Sequence, residues 1–196
     1  MRKTLLALLA SACIVGAFEN PAHSATFEPI AGGKSLVMTG EVVEGDAERL
    51  AVAYLDTYQR YGYAPERIFL NSHGGSVYAG FEVASFVQET GLHTVVGRTD
   101  ECYSICTVIF AAGSHRAVFP TSRMGVHSAS RKTASADGQI IAEEDATSLA
   151  FTLLMARVLV GLGAPDSVVI KTIATPGDSI TYLTLTDLVG WVELIQ

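Results

Sequence analysis

The sequence predicts an α/β fold built around a mainly parallel β-sheet. Short apolar runs rich in β-branched or aromatic residues recur along the chain, for example at residues 67–71 and 93–97. Between them lie segments with the spacing of an amphipathic helix, for example residues 46–61 and 76–90. Strands that alternate with helices are typical of a parallel sheet, because two parallel strands need a long crossover connection.

Each element follows from the spacing of its apolar residues. The predicted strands are residues 36–38, 67–71, 93–97, 117–119 and 124–127. The predicted helices are residues 46–61, 76–90, 104–112, 143–162, 166–172 and 184–189. Residues 128–138 are polar and aperiodic, and we expect them to be irregular. The long helix should end at residue 162, because Gly161, Gly163 and Pro165 disfavour further helix.

The composition is that of one globular domain with an acidic surface. The chain has 196 residues, of which 49% are hydrophobic and 17% charged, so it has room for one sizeable core. The formal net charge is −7, which disfavours nucleic-acid binding because such proteins usually carry a basic patch. We therefore expect no nucleic-acid partner.

The N-terminus has the pattern of a secretory signal peptide. Arg2 and Lys3 give it a positive start, and the fifteen residues 4–18 carry no charge. This run is shorter than the roughly 20 residues that a spanning helix needs. Small residues then favour cleavage after Ser24 or after Ala25.

That pattern also predicts where the mature domain begins and where in the cell the protein lies. Residues 1–25 are predicted to be the signal peptide, and residues 26–196 to be one soluble domain in the periplasm. Lipid attachment at Cys13, which follows three small residues, remains an alternative.

Two cysteines remain once the leader is removed. Cys102 and Cys106 form an even pair, which in an oxidising compartment favours a disulfide. Four-residue spacing on a helical turn brings Cα atoms to about 6 Å, within bridging range. Two buried thiols are the alternative. A metal site is not expected, because no nearby His or Cys completes a tetrahedron, and no organic cofactor is expected either.

Five residues in four segments are candidates for chemistry, and each segment has a structural alternative. Gly74 and Gly75 join a strand to a helix, where their amides suit an oxyanion, although a plain tight turn would use the same residues. Ser104 begins a helix, as a nucleophile or as a cap. His127 ends a strand, as a base or as a structural histidine, and Asp178 lies on a turn.

The order and spacing of these segments resemble the Clp protease proteolytic-subunit branch of the ClpP/crotonase superfamily, over about residues 36–195. Similarity lies in the first strand and turn, the glycine pair, the nucleophile segment and the histidine segment, at residues 38–42, 67–80, 104–113 and 122–127. Counting back from Gly190, in a segment similar to the family's Gly-Leu-Val ending, places the family's aspartate at Asp178.

The resemblance implies a fold and a reaction. The fold is a ClpP/crotonase-like spiral of ββα units with a mainly parallel sheet and a protruding handle helix at about residues 143–162. The reaction is hydrolysis of a peptide or other acyl substrate by a Ser104–His127–Asp178 triad, with the amides of Gly74, Gly75 and Ile105 as oxyanion donors. The exported branch, which has a Cys beside the Ser, is the nearest match.

The resemblance also bears on partners. A homo-oligomer is possible, since relatives assemble through the handle helix and sheet edges. No ATP-driven unfoldase is expected, because a signal peptide replaces the family's N-terminal loops and ATP is absent outside the cytoplasm.

Several departures from the family pattern leave alternatives open. His73 replaces the usual Pro, and Tyr103 and Ile105 flank the nucleophile where the family has small residues that would not crowd the site. A catalytically inactive binding or scaffold protein therefore remains an alternative, as does an acyl-CoA enzyme, which export disfavours. Asp166 and Asp187 remain possible third members of the triad.

Overall fold

The computed structural model describes residues 24–134 and 140–195. Within them the strands are β1 (Thr26–Ile30), β2 (Ser35–Thr39), β3 (Arg67–Asn71), β4 (His93–Val96), β5 (Glu101–Tyr103), β6 (Arg116–Val118), β7 (Arg123–Val126), β8 (Arg131–Ala134), β9 (Ile140–Glu143), β10 (Thr181–Tyr182) and β11 (Glu193–Leu194). The α-helices are α1 (Asp46–Tyr61), α2 (Val77–Thr90), α3 (Ile105–Ala111), α4 (Ala146–Gly161), α5 (Asp166–Ala174) and α6 (Leu185–Leu188). The predicted leader, apart from Ser24 and Ala25, lies outside the described residues, as does Cys13.

The main sheet has six strands in the order β1-β2-β3-β4-β6-β11. All neighbouring pairs from β2 to β11 are parallel, and only the edge strand β1 is antiparallel to its neighbour. Leu36 pairs with Ile68, and both are fully buried in the core. The predicted α/β fold with a mainly parallel sheet is confirmed.

A smaller sheet with the order β10-β7-β5 positions the predicted site. Strands β5 and β7 are parallel and in register, with Tyr103 opposite Gly125. The carboxyl ends of parallel neighbours lie at the same edge of a sheet. Ser104 directly follows β5 and His127 directly follows β7, so the fold brings both to this edge.

Helix α3 runs inward from Ser104 and is buried along its whole length. It packs against α2, where a Cβ at Gly80 would collide with the Ile105 side chain. The absence of a side chain at Gly80 therefore lets the two helices approach closely at the start of α3.

The structure corrects the prediction for residues 128–138. Within this segment residues 131–134 form β8, which pairs antiparallel with β9 so that Arg131 lies opposite Glu143. Residues 135–138 lie outside the described residues. The mostly polar residues of β8 gave no apolar alternation from which a strand could be predicted, and the apolar run of β9 is only three residues long. The following helix starts later than predicted, because Asp145 caps it by accepting a 2.8 Å hydrogen bond from the Ser148 amide.

Helices α4 and α5 expose a band of apolar side chains. Its members are Leu149, Leu153, Leu154, Val160, Ile170 and Ile173. In residues 24–134 and 140–195, we find no helix with the length and hydropathy that crossing a bilayer requires.

Candidate active site

Three residues that are distant in the sequence line one cavity. Ser104, His127 and Asp178 all border a cleft of about 400 Å³, together with Gly75 and Ser76 from the glycine turn. The cleft lies at the edge of the small sheet where β5 and β7 end. The structure thus brings the predicted nucleophile, base and carboxylate to one place.

Ser104 lies on a sharp turn between β5 and α3. Its φ is 57° and its ψ is −129°, a conformation that L-residues other than glycine rarely adopt. Its amide donates to the Gly125 carbonyl at 3.0 Å, while its side chain makes no capping bond to α3. The helix-cap alternative therefore does not account for Ser104. A strained strand-to-helix turn is how other hydrolase folds present a nucleophilic Ser.

The glycine pair is required by close packing of the turn that follows β3. Gly74 has φ 92°, and a Cβ there would lie 2.7 Å from the Ser104 Cβ and 3.3 Å from the Ile105 nitrogen. Gly75 has φ 147°, and a Cβ there would collide with the Val42 carbonyl oxygen. Both positions combine a positive φ with no room for a side chain, so the backbone lies directly against the candidate nucleophile at Gly74 and against Val42 at Gly75.

The predicted oxyanion donors differ in how they are used. The Gly74 amide donates to Ser72 Oγ at 3.1 Å. Within residues 24–134 and 140–195, no acceptor is bonded to the amide of Gly75 or to that of Ile105, the first residue of α3. An N–H at a helix start without an internal partner is suited to an anion. The oxyanion role of these amides stays a prediction.

His127 is half-buried, and one of its ring nitrogens has a defined partner. Nδ1 lies 2.7 Å from the Ser128 carbonyl oxygen. A carbonyl can only accept, so Nδ1 carries the proton and the lone pair of the neutral ring is on Nε2. The Ser128 carbonyl thus accepts the hydrogen bond from Nδ1–H. In the triad predicted from the sequence, Asp178 would be that acceptor.

The structure separates the three candidate carboxylates. Asp178 is exposed on a turn, where its Oδ1 accepts from Ser179 Oγ at 3.1 Å, and it lines the cleft. Asp166 is exposed at the start of α5 and does not border the cleft. Asp178 as the third member of the triad stays a prediction.

Asp187 has a structural task instead. Its Oδ2 accepts from Lys171 Nζ at 2.6 Å and from the Thr184 amide at 2.8 Å. Burial raises its pKa, but these donors outweigh burial and lower the pKa to about 2. This carboxylate does not border the cleft.

Neither of the two bulky neighbours of Ser104 borders the cleft. Ile105 is fully buried against Gly80 in the core. Tyr103 is buried, with its ring centroid 5.2 Å from that of His73 and 5.7 Å from that of Tyr182. Neither side chain therefore occupies the cleft directly, although Tyr103 stacks on His73, which does border it.

The Cys102 and Cys106 sulfur atoms lie 2.04 Å apart, which is disulfide-bond distance. The two cysteines bracket Ser104, one in β5 and one in α3, and both are fully buried. Their Cα separation of 5.3 Å agrees with the range expected from the spacing.

One contact of the site was not anticipated from the sequence. Glu144 binds both the residue after His127 and the residue before Asp178, through hydrogen bonds from Ser128 and Gly177. Glutamates in polar loops are common, so no sequence pattern marks this one.

In the described part of the chain, no group of three or more His, Cys, Asp or Glu side chains is placed to hold a metal ion.

Comparison with known proteins points to one family. The family model described as Clp protease matches residues 27–156. A search of curated proteins finds no significant match.

Similar solved structures show the same fold. A mutant of the 1510-N membrane-bound stomatin-specific protease has a TM-score of 0.63 at 15% identity, covering 83% of this chain and 77% of its own. ClpP1 from Listeria monocytogenes has a TM-score of 0.59 at 19% identity, with 84% and 92% covered. The ClpP protease catalytic domain from Plasmodium falciparum has a TM-score of 0.57 at 17% identity, with 83% and 85% covered. Because the family model covers well over half of the chain, this protein belongs to the Clp protease family.

Proposed function

We propose that this protein is an exported serine peptidase or related hydrolase of the Clp-protease type that works without ATP. The observation that carries the proposal is the shared cleft of Ser104, His127 and Asp178 beside Gly75. The strained backbone of Ser104 supports it further, because such strain persists where the surrounding structure enforces it, and it clusters at functional sites.

The reaction proceeds by acyl transfer to the serine. His127 Nε2 takes the proton from Ser104 Oγ as the oxygen attacks the carbonyl carbon, and the imidazolium then protonates the leaving amine. Asp178 stabilises the imidazolium, and water releases the acyl group in the second half. The Gly75 and Ile105 amides are the candidate donors to the oxyanion, where one donor is worth about 3 kcal/mol of barrier. The Gly74 amide is already bonded to Ser72 Oγ. No step calls for a metal or an organic cofactor.

A peptide is the acyl substrate that the comparisons favour. The similar structures are named as proteases, one of them specific for stomatin and others as ClpP. Because these proteins are only 15–19% identical to this chain, they show its fold alone. The nature of the acyl group is therefore part of the proposal.

Export and assembly are further parts of the proposal. The signal-peptide pattern of residues 1–25 supports a periplasmic location, with lipid attachment at Cys13 as the alternative. The Cys102–Cys106 pair supports an oxidising compartment. The apolar band of α4 and α5 supports a homo-oligomer. No unfoldase partner is proposed.

A fluorophosphonate probe tests the catalytic assignment directly. We expect the purified protein to be labelled at one site, and S104A to be unlabelled while it keeps the circular dichroism spectrum of the parent. Absence of labelling in well-folded parent protein would instead favour the non-catalytic binding protein. The side chains that motivated that alternative, Tyr103 and Ile105, do not border the cleft.

A further inference from the structure

Glu144 connects two segments that each carry a residue of the proposed triad. It lies between β9 and α4, and its Oε1 accepts from Ser128 Oγ at 2.6 Å and from the Gly177 amide at 2.8 Å. Ser128 directly follows His127, and Gly177 directly precedes Asp178. One carboxylate oxygen therefore joins the base segment to the carboxylate turn.

The bond to Ser128 bears on the orientation of the imidazole. The Ser128 carbonyl accepts the proton of His127 Nδ1 at 2.7 Å, and the Ser128 amide donates to the Thr175 carbonyl at 2.8 Å. Ser128 is itself buried. Glu144 accepts a hydrogen bond from its hydroxyl, and the Thr175 carbonyl accepts one from its amide. These two bonds fix the orientation of Ser128, so its carbonyl oxygen stays directed at the imidazole ring.

The bond to Gly177 closes the turn against the same segment. A Cβ at Gly177 would collide with the Ser130 side chain and would lie 3.3 Å from the Ser128 carbonyl oxygen. This close approach is possible only for glycine, and Glu144 provides the acceptor for its amide. The Ser128 hydroxyl and the Gly177 amide also hold the pKa of Glu144 below its usual value, so the acceptor stays charged at neutral pH.

We propose that Glu144 is a positioning residue that, through Ser128 and Gly177, holds the His127 imidazole and the Asp178 turn in register with Ser104. The predicted effect of Glu144 on kcat rests on the proposed function. The fixed tautomer of His127 does not depend on turnover.

Two readouts test the role, with Glu143 as the matched control. Glu143 is the neighbouring glutamate, and its carboxylate lies 3.4 Å from Arg131 instead. We expect E144A to lower kcat between about tenfold and a hundredfold with KM within about twofold, because misplaced groups cost rate rather than binding. E144Q retains an acceptor oxygen and should recover most of the loss. E143A should match the parent.

The second readout is ¹⁵N NMR of the histidine rings, with the His127 signals assigned by their loss in H127A. The parent should show the Nδ1-protonated tautomer at His127, and E144A should show a mixture. A loss of kcat in E144A with an unchanged His127 spectrum, or an unchanged kcat and spectrum, would overturn the inference.

A parent protein that hydrolyses nothing, but whose His127 tautomer still depends on Glu144, would refute the proposed function and leave the positioning role standing. If E144A does not fold, S128A provides the same test, because it removes the hydroxyl that Glu144 binds and keeps the carbonyl that faces His127. An S128A protein with parental kcat and a parental His127 spectrum would overturn the proposal.

Discussion

Gly74 and Ser104 are packed so closely that no side chain fits between them: a Cβ on Gly74 would lie 2.7 Å from the Cβ of Ser104. The first residue belongs to the turn after β3 and the second to the turn after β5. Their contact makes the position of the candidate nucleophile depend on a glycine thirty residues earlier in the chain.

Replacement of Gly74 should therefore impair the site more than the fold. G74A combines a positive φ with a collision at Ser104, and we expect the rate of fluorophosphonate labelling to fall by about a hundredfold. Gly62 offers a matched control, since it has φ 79° and nothing within 4 Å of an added Cβ. G62A should lose about 1 kcal/mol of stability through backbone strain alone and label at the parental rate. Equal labelling of G74A and the parent would contradict the role of the contact.

The strained backbone conformation of Ser104 should lower the free energy of unfolding of the protein. At φ 57° and ψ −129° a glycine is unstrained, whereas Ser and Ala are not. Both S104G and S104A lack the nucleophile and should be inactive. We expect S104G to be more stable than S104A by about 1 kcal/mol, measured by denaturant unfolding, after the higher entropy of unfolded glycine is taken into account. An S104G protein less stable than S104A would show that the turn is relaxed.

Asp178 and Asp166 should differ sharply in their effect on turnover. Asp178 borders the cleft and Asp166 does not, although both are exposed. We expect D178N to lower kcat by at least about a hundredfold, because the imidazolium loses its stabilising charge, and D166N to leave kcat within about twofold. Steady-state kinetics on one peptide substrate decides between them. A parental kcat in D178N would assign the orienting task to the Ser128 carbonyl alone.

Reduction of the Cys102–Cys106 pair should loosen the turn that carries Ser104. The bridge closes a very short loop, so its loss should cost about 2 kcal/mol by the chain-entropy estimate. We expect dithiothreitol to lower the melting temperature and to slow labelling several-fold. The double variant C102A/C106A should behave like the reduced protein and should not respond to the reductant. Two free thiols in protein purified without reductant would exclude the bridge.

Local patterns were sufficient to predict much of the fold. Residues 46–61 and 67–71 have the predicted bounds, because the helical period ends at Gly62 in the left-handed conformation and the strand is a compact apolar run. Ser104, His127 and the glycine pair were found because each stands at the end of such an element. The pairing of β8 with β9 was missed, because β8 is mostly polar and the apolar run of β9 is only three residues long.

Amino-acid order alone thus determined the α-helices, the strands β2, β3, β4, β6 and β7, and the side chains at their ends, since these depend on neighbours a few positions away. Only the tertiary structure decided that Tyr103 and Ile105 do not border the cleft, that Asp187 is bonded to Lys171, and that Glu144 joins the His127 and Asp178 segments. Those outcomes depend on hydrogen bonds and packing between residues far apart in the chain, for which no local spacing carries information.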